Sequence, residues 1–153
     1  MNKLIILLMF FGLNSHCFSA NENVLPVSPV GFWKTIDDND QSTRSIVEIF
    51  EKDEKLFGKI VKIFPHEGNK PNCEQCKDEF KDQPILGMQF MWDLKKNTST
   101  KYDGGKILDP QNGSIYKSKI ELTDDGKKLS VRGYIGISLF GRSQEWLRSE
   151  KPE

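Results

Sequence analysis

Histidine and cysteine are scarce in this chain: its 153 residues hold two histidines, His16 and His66, and three cysteines, Cys17, Cys73 and Cys76. Any Ser-His-Asp arrangement in the body of the chain would rest on His66 alone, in an irregular stretch without a supporting motif, so no catalytic residues are assigned. Charge of one sign is missing as well, since 22 Lys and Arg balance 22 Asp and Glu. Without a basic block there is no clustered positive face to meet phosphates, which argues against a nucleic-acid partner. No apolar run reaches the ~20 residues of a membrane-spanning helix. No segment carries a sustained helical stripe with caps, so at most short helical turns are expected, one of them near Glu74 to Phe80.

The N-terminus is distinctive. Met1, Asn2 and Lys3 precede an apolar run from Leu4 to Leu13, and small residues close the segment at Ser19 and Ala20. This is the layout of a secretory signal peptide over residues 1–20, removed near Ser19 or Ala20, and it predicts an exported, periplasmic protein. Residues 21–30, with Pro26 and Pro29 and no periodicity, read as an extended lead-in. Residues 31–149 form the folded domain and 150–153 a short tail. The mature cysteines are then Cys73 and Cys76.

From Gly31 onward, short stretches rich in Ile, Val, Tyr, Phe and Trp alternate with Asp, Asn, Gly and Lys clusters, the texture of antiparallel β structure. The candidate strands are Gly31 to Ile36, Thr43 to Phe50, Leu56 to Phe64, Leu86 to Leu94, Tyr102 to Ile107, Ser114 to Leu122, Lys128 to Ile135 and Ser143 to Arg148. Asp53-Glu54-Lys55, Asp109 to Gly113 and Asp124-Asp125-Gly126 supply turn chemistry between consecutive strands, implying an up-and-down meander. Tyr116, Ser118, Ile120 and Leu122 share one face, and Leu129, Val131, Gly133 and Ile135 share another. A domain of roughly eight antiparallel strands without covering helices must hide its apolar face by closing on itself. The expected fold is a single small all-β barrel, whose interior holds its own side chains or one small ligand.

Three groups of residues carry chemistry. Cys73-Glu74-Gln75-Cys76 lies in the long irregular stretch Pro65 to Pro84. In an exported chain the pair closes a disulfide that stiffens the loop, although a thiol exchange site, or a metal site completed by His66, uses the same residues. Gly31-Phe32-Trp33 opens the first strand, and a guanidinium of the last strand, Arg142 or Arg148, is placed to lie over the indole. Trp33, Tyr102, Tyr116, Ser118, Arg132, Gly133, Tyr134 and Arg142 are candidates to line a pocket for a small apolar or amphipathic ligand. Against this, alternation puts Arg132 and Tyr134 toward solvent with Ser130. Asp37-Asp38-Asn39-Asp40 offers oxygen ligands for calcium but lacks the spaced glutamate, and reads as a solvated loop. Neither Gly104-Gly105-Lys106 nor Gly136 to Gly141 has the frame of a phosphate loop or nucleophile elbow, so no cofactor is expected.

Several strings occur together in order: Gly31-x-Trp33 with Asp37-Asp38, Asp82 to Gly87, Tyr102 to Pro110, Asn112-Gly113 with Tyr116, Leu129 to Gly136, and Leu139 to Arg142 with Trp146. In these the chain resembles the bacterial exported family catalogued as domain of unknown function 2147, over about residues 31 to 148. The resemblance implies a calycin or lipocalin-like barrel without assigned activity, in which an N-terminal Gly-x-Trp packs with a late Arg. It departs at Asn39-Asp40-Gln41, where the family usually has a glycine. The expectation is a non-catalytic, monomeric periplasmic barrel that binds a small, partly apolar ligand or an envelope protein partner. The rivals are a redox or metal-handling protein using Cys73, Cys76 and His66, and a packed barrel acting as an interaction module.

Overall fold

The computed structural model describes residues 27–153, so the segment expected to be an export signal and most of the expected lead-in lie outside the described residues. The strands are β1 (Gly31–Ile36), β2 (Thr43–Lys52), β3 (Lys55–Ile63), β4 (Gln89–Lys96), β5 (Lys101–Asp109), β6 (Ser114–Thr123), β7 (Lys128–Tyr134) and β8 (Gly141–Ser149). Each pairs antiparallel with its neighbours in chain order, and β8 returns to β1 through Phe32↔Ser149, Trp33↔Arg148 and Lys34↔Leu147. The sheet therefore has no free edge, and the expected all-β up-and-down barrel is what forms.

Alternation explains the core. Ser118, Ile120 and Leu122 of β6 stand opposite Gly133, Val131 and Leu129 of β7, and the buried members of this set face the barrel axis. Trp33, Val47, Ile49, Leu56, Met91, Leu94 and Trp146 meet them from the other strands, all nearly or fully buried.

Because the strands run up and down, the β1–β2, β3–β4, β5–β6 and β7–β8 loops gather at one end. The other end is plugged. Trp33 is fully buried there and donates its indole N–H to Pro29 O at 2.8 Å. Arg148, not Arg142, stacks on it, with the guanidinium carbon 4.1 Å from the ring centroid. Arg148 also donates to Gly126 O at 2.6 Å and Ser28 O at 2.7 Å, so the lead-in and the β6–β7 turn are drawn over the plug.

The structure differs from the sequence reading in local places. β4 begins at Gln89, because Gly87, at φ +85°, closes a turn in which Met88 donates to Ile85 O, and Leu86 is left exposed. The expected helical turn is a single 3-10 turn at Asp78–Phe80, and a second occupies Asp124–Gly126. In the β1–β2 loop Gln41 takes φ 59°, a left-handed geometry that glycine adopts most readily.

Candidate functional site

A cavity of about 920 Å³ opens at the unplugged end. Val47, Ile60, Phe90, Val131 and Trp146 give it an apolar floor, while Thr35, Ser45, Arg44, Tyr116, Gln144 and Arg142 add polar groups nearer the mouth. The four loops of the open end ring it. That is room for one small ligand, in the usual range for such sites.

The mouth is organised by the loop Asp37-Asp38-Asn39-Asp40. Its three carboxylates each meet a basic side chain from a different element: Asp37 faces Arg44 of β2 at 3.6 Å, Asp38 accepts from Arg142 Nε of β8 at 2.7 Å, and Asp40 lies 3.1 Å from His66 Nε2 in the β3–β4 loop. The Asp37 carboxyl is held below its usual range, chiefly by the backbone N–H of Asn39. Asp40 is lowered to about 2, first by the Ser42 hydroxyl, then by its backbone N–H and by His66. His66 is raised above 6.5, mainly because its other ring nitrogen bonds Glu67 O and then through Asp40. Asp37, Asp40 and His66 could present ligand atoms to a cation, all within 4.8 Å of one another. Asp40 and His66 already bond each other, and Asp37 accepts from the Asn39 and Asp40 backbone N–H groups, contacts that hold the loop in shape.

Arg44 stands apart. It occupies the irregular register step where Thr35↔Ser45 is followed by Ile36↔Thr43, and this turns its side chain to the cavity. Its buried Nη1 atom is the one that faces the Asp37 carboxylate at 3.6 Å, beyond hydrogen-bond distance, and it makes no hydrogen bond. A buried guanidinium nitrogen at a cavity wall, with its carboxylate partner beyond hydrogen-bond distance, leaves room for a closer anionic acceptor.

The β3–β4 loop borders the mouth. Cys73 and Cys76 are joined in a disulfide, both buried, and Cys73 Sγ lies 3.3 Å from Pro110 O in the β5–β6 turn. The loop sits so close to this turn that a Cβ on Gly113 would meet Gln75 O at 1.9 Å. The disulfide reading of the two cysteines is thus the one the structure shows. With the sulfurs joined to each other and the His66 ring bonded to Asp40 and Glu67, Cys73, Cys76 and His66 are not arranged as a shared metal site.

Of the residues expected to line a pocket, Tyr116, Gly133, Tyr134 and Arg142 do so. Four do not. Trp33 is spent in the plug, and Tyr102 pairs with Ile120, where burial pushes its hydroxyl pKa up. Ser118 is fully buried between Gly105 and Gly133 with no hydrogen-bond partner, and the space over Gly105 is filled by Leu94. Arg132 faces outward opposite Lys119 and donates to Ser138 O and Leu139 O of the β7–β8 loop. Arg44, Gln144 and Phe90 also line the cavity and were not foreseen.

Comparison with known proteins agrees with this architecture. The family model described as an uncharacterised protein conserved in bacteria, DUF2147, matches residues 31–148. The chain belongs to this family. Among solved structures it is similar to protein HP1028 from the human pathogen Helicobacter pylori, described as belonging to the lipocalin family. The TM-score is 0.70 at 21% identity, covering 81% of this chain and 84% of that one, which shows a shared barrel fold. No curated protein matches the chain. Within the DUF2147 chain, no helix among the described residues is long and apolar enough to cross a membrane.

Proposed function

We propose that this DUF2147 protein is a non-catalytic carrier or sensor of a small amphipathic molecule with an apolar body and an anionic head. One observation carries the reading: the cavity joins an apolar floor to the Arg44 guanidinium near its mouth, whose Nη1 atom makes no hydrogen bond and has Asp37 only at 3.6 Å. The body would lie on Val47, Phe90, Val131 and Trp146, and the head would meet Arg44, with Arg142 and Tyr116 nearby. The open interior disfavours a packed barrel serving only as an interaction module.

Displacement of an anionic naphthalene sulfonate fluorophore tests this. A long-chain carboxylate should displace the probe, and an alcohol of equal chain length should do so at least about tenfold less well, the value of a charge-assisted hydrogen bond. Arg44→Gln should erase that difference. Equal displacement by acid and alcohol in the parent protein would refute the role of Arg44.

We further propose that the protein works in the periplasm, because Lys3 and the Leu4 to Leu13 run have the form of a cleavable export signal. N-terminal sequencing of periplasmic material should begin near Ala20 or Asn21. A chain starting at Met1 would refute cleavage.

A further inference from the structure

The β7–β8 loop breaks the rule that a surface hairpin is polar. Ile135, Ile137, Leu139 and Phe140 are 69%, 62%, 74% and 69% exposed, the largest run of exposed apolar side chains among the described residues. The loop is nonetheless built. Ile135 N–H donates to Phe140 O and Phe140 N–H to Ile137 O. From the barrel wall below, Arg132 donates to Ser138 O at 2.8 Å and Leu139 O at 3.1 Å, and Lys117 to Gly136 O at 3.2 Å. Carbonyls that would otherwise need water are occupied, while the apolar side chains point away.

The wall that supports this tip is unusual in charge. On the outward face Lys106 of β5 stands directly opposite Lys117 of β6, and Lys119 of β6 directly opposite Arg132 of β7. Like charges in facing positions destabilise a sheet, a cost that a negatively charged surface laid against them would relieve. Among the described residues none of the four has a carboxylate within ion-pair distance. Carboxylates begin further along the strands with Asp103 and with Glu121, which is already paired with Lys101 at 3.2 Å.

We propose that the tip Ile135 to Phe140 docks on an anionic lipid bilayer, with its apolar side chains in the interfacial region and Lys106, Lys117, Lys119 and Arg132 against the headgroups. A protruding apolar tip over an unpaired cationic collar matches a soft, negatively charged interface, where apolar burial and headgroup attraction add. A protein partner would have to offer a recess for four separate side chains and a matching acidic rim. Ile135 and Phe140 also border the cavity, so docking sets its mouth at the membrane surface. The inference stands whatever the cavity holds.

Flotation of the purified protein with vesicles tests it. Vesicles of phosphatidylglycerol and phosphatidylethanolamine should carry the protein upward, phosphatidylcholine vesicles should carry much less, and high salt should release it. The triple change Ile137→Ser, Leu139→Ser and Phe140→Ser should weaken binding about tenfold or more, and Lys106→Gln with Lys117→Gln should remove the preference for anionic lipid. Thermal melts confirm that each variant is folded. If the triple variant does not fold, Leu139→Trp in the otherwise unchanged chain replaces it, and its emission should shift to the blue with anionic vesicles. No binding to anionic vesicles, binding unchanged in a folded triple variant, or no shift at Leu139→Trp would overturn the proposal. So would self-association that the triple change abolishes while vesicles bind neither protein, since the occupant would then be a second copy of this chain.

Discussion

Arg148 and Trp33 face each other across the seam that closes the barrel, the guanidinium carbon 4.1 Å from the indole centroid. The contact unites the first and last strands, and the same guanidinium reaches Gly126 O and Ser28 O, so one side chain ties together four segments at the plugged end. Burial lowers the pKa of this arginine from its usual value without threatening its charge. Arg148→Ala should cost about 2 kcal/mol, combining the cation–π contact and the hydrogen bonds, discounted because the side chain keeps some exposure. Arg148→Lys should lose most of this, since an ammonium cannot stack and fork at once. Urea unfolding measures both, and a loss under ~0.5 kcal/mol for Arg148→Ala would contradict the seal.

The β3–β4 loop is held by two devices that can be separated. Replacing Cys73 and Cys76 by serine removes a small ring and should cost only about 2 kcal/mol, leaving the barrel folded. Gly113→Ala acts from the other side, since its Cβ would collide with Gln75 O and its φ of +70° suits glycine. It should cost about 1–2 kcal/mol from the backbone alone and open residues 65–84 to proteolysis. A loop equally resistant in Gly113→Ala would show that the close approach does not hold it.

His66 joins the β3–β4 and β1–β2 loops through hydrogen bonds at both ring nitrogens, to Glu67 O and Asp40. Only the imidazolium donates from both, so protonation strengthens the tether. The folded-state pKa is raised above 6.5, and its contribution is therefore full below that value and fades as pH rises through the folded value. Asp40 runs the other way: lowered to about 2 from 3.8, it supports the tether above 3.8 and fails as pH falls toward 2. NMR titration should place His66 above 6.5 in the parent and lower in Asp40→Asn. An unchanged His66 titration in that variant would remove Asp40 from the tether.

The strands were legible because a period of two survives in single sequences: Ser118, Ile120 and Leu122 face inward as their alternation required. The Gly-x-Trp plug was legible too, although choosing Arg148 over Arg142 needed the register Trp33↔Arg148. The mouth was not. Asp37 to Asp40 reads as a solvated loop, yet its partners are Arg44, His66 and Arg142, the last 104 residues away. Arg44 reaches the cavity only because of a register step between Thr35 and Ile36, and no composition rule marks such a step. Arg132 shows the reverse error, since its residue type suggested ligand binding while its parity sends it outward to brace a loop.

The central claim is that the interior is a ligand site and not a packed core, and Gly133 tests it most directly. A Cβ there would lie 3.5 Å from Ile107 Cγ2 and from Tyr116 Cβ, an ordinary contact at the cavity wall. The decisive measurement is fluorescent probe titration of the parent protein and Gly133→Leu, with thermal melts of both. The account predicts saturable uptake in the parent, its loss in the variant, and a stability change under ~1 kcal/mol, because the side chain enters a preformed void. No uptake in the parent, together with destabilisation of about 1–3 kcal/mol in the variant, would contradict it, since that is how a filled barrel responds to added bulk.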